Sequence, residues 1–303
     1  MTIIYMALII NTIKLIKNDN YDDAINDLYN NITSINTLIN EYIQEVSNDK
    51  NKIRHPQSDY NPELTEANPY ALYTHVIMKI FMHKQSVEQN GKDDVASLDK
   101  DLFYHTLVCR NELDNKLFAL YLPIYRAITE SIMADEKDIP CIGIDYEFSN
   151  RQIALMQINF EPKTLDNTHV FIFIVHPPNL HELTYNMLID ILKDHRIYKI
   201  LHGADSLDIP YMYAELLKDH DVIKSFMKKY VDTRFLCEYY RISVGEDKKC
   251  SIYDALLYFG TITEAKYKHL VDTHDSMGPV QDITWNIQNL SSFHTKYALF
   301  DVL

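Results

Sequence analysis

A change of hydrophobic period near residue 140 constrains this chain more than any other feature. Before it, apolar residues recur every three or four positions. Ile25, Leu28, Ile32, Ile35, Leu38, Ile39 and Ile43 share one helical face, and Leu72, Val76, Ile77, Ile80 and Phe81 share another. The apolar run Ile3 to Ile10 reads as the start of a buried helix or strand and is too short to span a bilayer. Residues 48–69, with Pro56, Pro62 and Pro69, and the polar residues 87–100 read as long loops. Residues 102–134 read as one or two helices interrupted near Pro123. After residue 140 short apolar runs alternate with helical spacing. Strands are expected at Cys141–Ile144, 152–160, Val170–Val175, Lys199–Leu201 and up to Val231. Helices are expected at 181–194, 207–218, 234–241, 251–259 and 285–303. Glycine marks the same division, since only Gly91 of six precedes residue 140. The pattern predicts a helical N-terminal region, 1–137, followed by an α/β domain with a mixed sheet, 138–303.

Charge and cysteines narrow the function classes. The formal charge is −14, so weak non-specific affinity for nucleic acid and a local, not a global, basic track are expected. Lys224, Lys228, Lys229, Arg234 and Arg241 offer a partial one, or a solvated helix face. Cys109, Cys141, Cys237 and Cys250 show no C-x-x-C spacing. They are expected to be free thiols in a reducing compartment, which places the chain inside the cell, cytoplasmic or nuclear, and away from membranes. His181-Glu182 has no second histidine four residues on, and no nucleophile elbow or phosphate loop is present.

The acids are more informative. Asp145 and Glu147 sit two apart at the end of the first strand after the division, so both project to one side. Adjacent carboxylates raise each other's pKa unless a cation lies between them, and hard divalent ions take oxygen ligands of this kind. A solvated strand end gives the same pattern. His202-Gly203-Ala204-Asp205-Ser206-Leu207-Asp208-Ile209 turns a strand into a helix. Asp205 or Ser206 is the expected N-cap, and Asp208 falls in the first turn. Tyr297 and Asp301, four apart on the last helix, share a face. Each motif alone has an ordinary structural explanation.

Together, IGIDYEF, KILHGADSLDIPYM and YALFDVL resemble the three motifs of the ribonuclease D-like branch of the DEDD 3′–5′ exonucleases, tyrosine type (DEDDy). RQIALMQI, VDTRFLCEY and the DITW run extend the resemblance over about 138–303. It implies a ribonuclease-H-like exonuclease fold, a five-stranded mixed sheet flanked by helices. The implied activity is hydrolysis of single-stranded RNA or DNA from the 3′ end, releasing 5′-nucleoside monophosphates with two Mg²⁺ or Mn²⁺ ions. Asp145, Glu147, Asp208 and Asp301 become the metal ligands, and Tyr297 orients the attacking water. Leu207 departs from the family's usual spacing in the second motif. Asp208 keeps the local Asp-Ile pair and is preferred to Asp205. Asp232 matches an Asp-Thr pair and is a supporting residue or alternative ligand. Phe148 is the expected contact to the terminal nucleotide, and His202 is either a substrate contact or a packed core residue. The chain stops two residues after Asp301, so either the N-terminal region packs that end down or the chain is a fragment. Residues 1–137 complete the core or take a protein partner. The rivals are an inactive nucleic-acid or protein binding module on the same scaffold, and an assembly protein working through its helical half. RNA and DNA are not distinguished.

Overall fold

The computed structural model describes residues 2–47, 69–88, 103–135, 139–160, 169–246, 250–276 and 283–302. The expected loops at 48–69 and 87–100 lie almost wholly outside these. The N-terminal part holds α1 (Thr2–Lys17), α2 (Tyr21–Asn30), α3 (Ile32–Ser47) and α4 (Pro69–Glu88). The single helical stripe from Ile25 to Ile43 is two helices that meet at Asn31. Both still turn Ile25, Leu28, Ile35 and Ile39 inward to full burial.

Residues 102–134 depart from expectation. β1 (Phe103–Val108) is a strand, and α5 (Glu112–Asp135) runs unbroken through Pro123. The strand is only six residues long, so its period is swamped by the helix that follows. A proline inside a helix costs a backbone hydrogen bond, and here the Tyr73 hydroxyl of α4 donates to the nearby Leu120 carbonyl at 2.6 Å; Leu117 to Leu122 are all buried.

The remaining elements follow in order. They are β2 (Cys141–Ser149), β3 (Gln152–Phe160), β4 (His169–Val175), α6 (Glu182–Leu192), β5 (Tyr198–Leu201) and α7 (Asp208–Tyr211), which continues as a π-helical stretch, Met212–Leu217. Then come α8 (His220–Met227), β6 (Tyr230–Asp232), α9 (Thr233–Ser243), α10 (Ile252–Tyr258), α11 (Glu264–Ser276) and α12 (Ser292–Phe300). α11 is a helix that its weak apolar periodicity did not announce.

The sheet has six strands in the order β1-β4-β3-β2-β5-β6, one more than expected. β3 is antiparallel to both β2 and β4, and the other pairings are parallel. The sixth strand is β1, which comes from the supposedly helical region and pairs with β4 from Phe103↔His169 to Val108↔Ile174. One continuous apolar core runs from Tyr5 of α1 through α2–α5 to the sheet and on to Val302. Described residues on both sides of the change in sequence pattern thus share that core.

The cysteines correct a second expectation. Cys109 and Cys141 are buried and outside any disulfide, but Cys237 of α9 and Cys250 form one. The partners are thirteen residues apart in sequence, and a search for C-x-x-C spacing does not find such a pair. The bond removes the argument for a reducing compartment that rested on four free thiols.

Candidate metal centre

β2 supplies the first two acids through its pleat. Ile142, Ile144 and Tyr146 turn into the core and are buried, so Gly143, Asp145 and Glu147 occupy the opposite face. β3 pairs Asn159 with Gly143 and Gln157 with Asp145, which puts both polar side chains on that same face. The register slips between Glu147 and Phe148, a bulge that bends the strand beside the acid pair. Gln157 Nε2 donates to Glu147 Oε1 at 3.5 Å.

α12 brings the third acid. Ser291 caps the helix by accepting the His294 N–H at 3.1 Å. The far end is tied to the sheet, where Asn159 Nδ2 donates to the Val302 carbonyl at 2.7 Å. Gly143 makes room for that carbonyl, because a Cβ there would lie 3.0 Å from it. Both anchors come from the strands β2 and β3.

The result is a cluster. Asp145, Glu147 and Asp301 each offer a carboxylate oxygen within 4.8 Å of the others, the one such group of three or more among the described residues. Asp208 lies outside that limit but within its field. It is half-buried at the start of α7, and its charge acts on Glu147 while that of Asp145 acts on it. Asp205 is exposed and reaches the group only as a further charge on Asp208. Neither Asp205 nor Ser206 caps α7. Its N-cap is Leu207, with no side-chain hydrogen bond.

Electrostatics follow from this crowding. Burial and then the Asp301 charge push the Asp145 carboxyl far up. Burial and then Asp145, Asp301 and Asp208 do the same to Glu147. Burial raises Asp301 to about 7, although a hydrogen bond from Tyr297 pulls the other way. Asp208 rises to about 8, through burial first and Asp145 second. Tyr297 is buried and is raised by desolvation and then by Asp301, Glu147 and Asp145. It remains a phenol, and hence a donor, at neutral pH. A donor set made of oxygens, whose charged form is disfavoured by burial and mutual repulsion, fits a hard divalent cation.

Asp232 belongs to a different kind of site. Its carboxylate caps α9 by accepting from Arg234 N and, more weakly, Phe235 N. It also takes the N–H groups of Gly203 at 2.9 Å and Ala204 at 3.0 Å, and the Tyr230 hydroxyl at 2.9 Å. Burial raises its pKa, but those hydrogen bonds outweigh it and the net shift is downward. Its oxygens are committed to holding the turn that leads to Asp208. His202 is similarly engaged. Its Nδ1 lies 2.9 Å from Thr233 Oγ1 and its Nε2 3.2 Å from the Cys250 carbonyl. Phe148 is half-buried, with its ring 5.0 Å from that of Tyr211.

The expected basic track is broken up. Arg234 pairs with Glu238, Arg241 with Glu246, and Lys229 donates to the Tyr198 hydroxyl. A mainly apolar cavity of about 470 Å³ opens on the acid face, lined in part by Gly143, Ile200, His202, Tyr240 and Asp301.

No family model matches the chain. It is 37% identical over 213 residues to the uncharacterized protein L533 of Acanthamoeba polyphaga mimivirus, a stretch that covers 67% of this chain and 41% of that protein. The chain thus spans about two fifths of the length of this relative. It also shows a likeness to the crystal structure of the EXD2 exonuclease domain soaked in Mn and GMP. That likeness is 19% identical, covers 65% of this chain and 83% of the other, and has a TM-score of 0.30. At that level it establishes neither fold nor activity. Among the described residues no helix is long and apolar enough to cross a membrane.

Gly143, Gln157 and Asn159 were not singled out in the sequence. The signal was present: two amides, two residues apart in the apolar strand QIALMQINF, must share a face.

Proposed function

We propose that this chain is a metal-dependent 3′–5′ exonuclease of the ribonuclease D-like, tyrosine-type family, acting on single-stranded RNA or DNA. The observation that carries the reading is the convergence of Asp145, Glu147 and Asp301, 156 positions apart at the extremes, to within 4.8 Å on one sheet face. These are the acids of the first and third motifs, and Asp208 of the second lies within their field.

Asp145, Glu147, Asp208 and Asp301 would hold Mg²⁺ or Mn²⁺. Bound there, the cations neutralise the acids and stabilise charge developing on a phosphodiester. The chain's own groups supply the geometry. The protonated Tyr297 hydroxyl, beside Asp301, orients the attacking water by donating or accepting a hydrogen bond without losing its proton. Phe148, after the bulge, offers its ring to the terminal base, with Tyr211 behind it. Asn159 and Gly143 fix the register of Asp301 on the sheet. Water adds to the phosphorus, the 3′-oxygen of the shortened strand leaves and takes up a proton, and a 5′-mononucleotide is released.

The test is digestion of matched RNA and DNA oligonucleotides, 3′-blocked and unblocked, with Mg²⁺ or Mn²⁺ and with chelator. The expected result is stepwise loss of 5′-mononucleotides from unblocked ends, only with cation. Binding without cleavage, or cleavage indifferent to chelator, contradicts the reading.

A further inference from the structure

The helix α11 places an imidazole against the site that the motifs do not include. The His274 ring lies 5.3 Å from that of Tyr297, at 63°. It also meets Tyr253 of α10 edge-on, 6.2 Å away at 86°. Tyr253 is buried. A second ring constrains Tyr297, since Trp285 stacks on it at 6.0 Å and 28°. α12 fixes the Cα of Tyr297 but not the angle of its ring. The phenol hydroxyl sits at the end of a long lever, so a small rotation about the Cα–Cβ bond moves it by about an ångström, and a displacement of that size costs up to roughly a hundredfold in rate. Aromatic rings packed edge to face and in offset stacks resist such rotation.

We propose that His274, braced by Tyr253, is a positioning residue that holds the Tyr297 ring at the angle at which its hydroxyl meets Asp301. This rests on the nuclease reading of the site given above. The imidazole acts by its shape and place, so its nitrogens are dispensable.

The full chain is assayed with Mn²⁺ on a labelled single-stranded oligonucleotide. His274→Ala is expected to lower kcat by roughly tenfold or more while leaving KM unchanged. His274→Phe, which keeps a ring there, is expected to recover to within about threefold of the parent. Trp285 is the only tryptophan in the chain, so quenching of its emission by Mn²⁺ reads metal affinity separately. That affinity is expected to be the same in His274→Ala as in the parent. A His274→Ala enzyme with full kcat overturns the proposal. So does His274→Phe as slow as His274→Ala, which assigns the imidazole nitrogens to the chemistry. Loss of Mn²⁺ affinity in His274→Ala also overturns it, by making His274 part of the metal centre. An inactive parent removes the nuclease reading itself, a different outcome from an active parent with an indifferent His274.

Discussion

Glu147 and Asp232 are about equally buried, 6% and 5% exposed, and lie in the same half of the sheet, yet the chain treats them in opposite ways. Asp232 is surrounded by donors: backbone N–H groups from the 203–204 turn and the start of α9, and a phenol. Its charge is absorbed by the fold and its pKa falls. Among the described residues Glu147 receives one long hydrogen bond, from Gln157, and its burial and the three acids it faces push its pKa up. A carboxylate that closes a structural joint is satisfied by the protein. A carboxylate that the protein leaves crowded by its own kind calls for positive charge from outside the chain. The contrast separates the two roles within one small region.

Substitution at the crowded site should break this contrast most visibly. Asp145→Asn or Asp301→Asn is expected to lower cation-dependent cleavage by on the order of a thousandfold or more. The same change should raise the melting temperature of the metal-free protein, because it removes a charge that burial disfavours. Both are read from one preparation, by oligonucleotide digestion and thermal unfolding. Undiminished cleavage by both variants removes the assignment.

Asp232→Ala should do the reverse in stability. It strands the Gly203 and Ala204 N–H groups and removes the α9 cap, at a cost of roughly 2–3 kcal/mol in denaturant unfolding. A neutral result at this position would mean that the two carboxylates are not different in kind.

The pH dependence sharpens the same point. Asp301 at about 7 and Asp208 at about 8 are raised above an unfolded value of about 4. The folded protein binds their protons more tightly, so their contribution is fully present below about pH 4 and is lost as pH rises through 7 to 8. Asp232 has a lowered pKa, so its contribution is present above about pH 4 and is lost as pH falls through its folded value. In chelator, melting temperature should fall between pH 5 and 8.5, and Mn²⁺ should restore more of it at 8.5 than at 5.

Gly143→Ala carries the smallest effect. Its Cβ would press on the Val302 carbonyl and shift the segment that carries Asp301. A loss of roughly threefold to tenfold in cleavage is expected, with little change in unfolding.

Much of the site was legible because its parts obey local rules. The pleat puts Asp145 and Glu147 on one side, and the helical repeat does the same for Tyr297 and Asp301. The strand-to-helix turn at Gly203 also followed from sequence, and its φ of +69° explains the glycine. What was missed is non-local. β1 is a strand because β4 offers it an edge, and the six residues of β1 do not announce it alone. The Cys237–Cys250 bond depends on how α9 meets the chain before α10. The Asp232 network joins a turn to a helix 29 residues on. α11 and its His274 escaped because a mostly exposed helix has no sharp apolar stripe.

If the four acids, each pushed upward by burial, await a divalent cation, its binding should displace protons. Calorimetric titration of the full chain with Mn²⁺ near pH 7, repeated in buffers of different ionisation enthalpy, counts those protons. The parent should bind Mn²⁺ with proton release, and Asp145→Asn should lose both. Binding without proton release, or equal binding in the variant, would contradict that expectation.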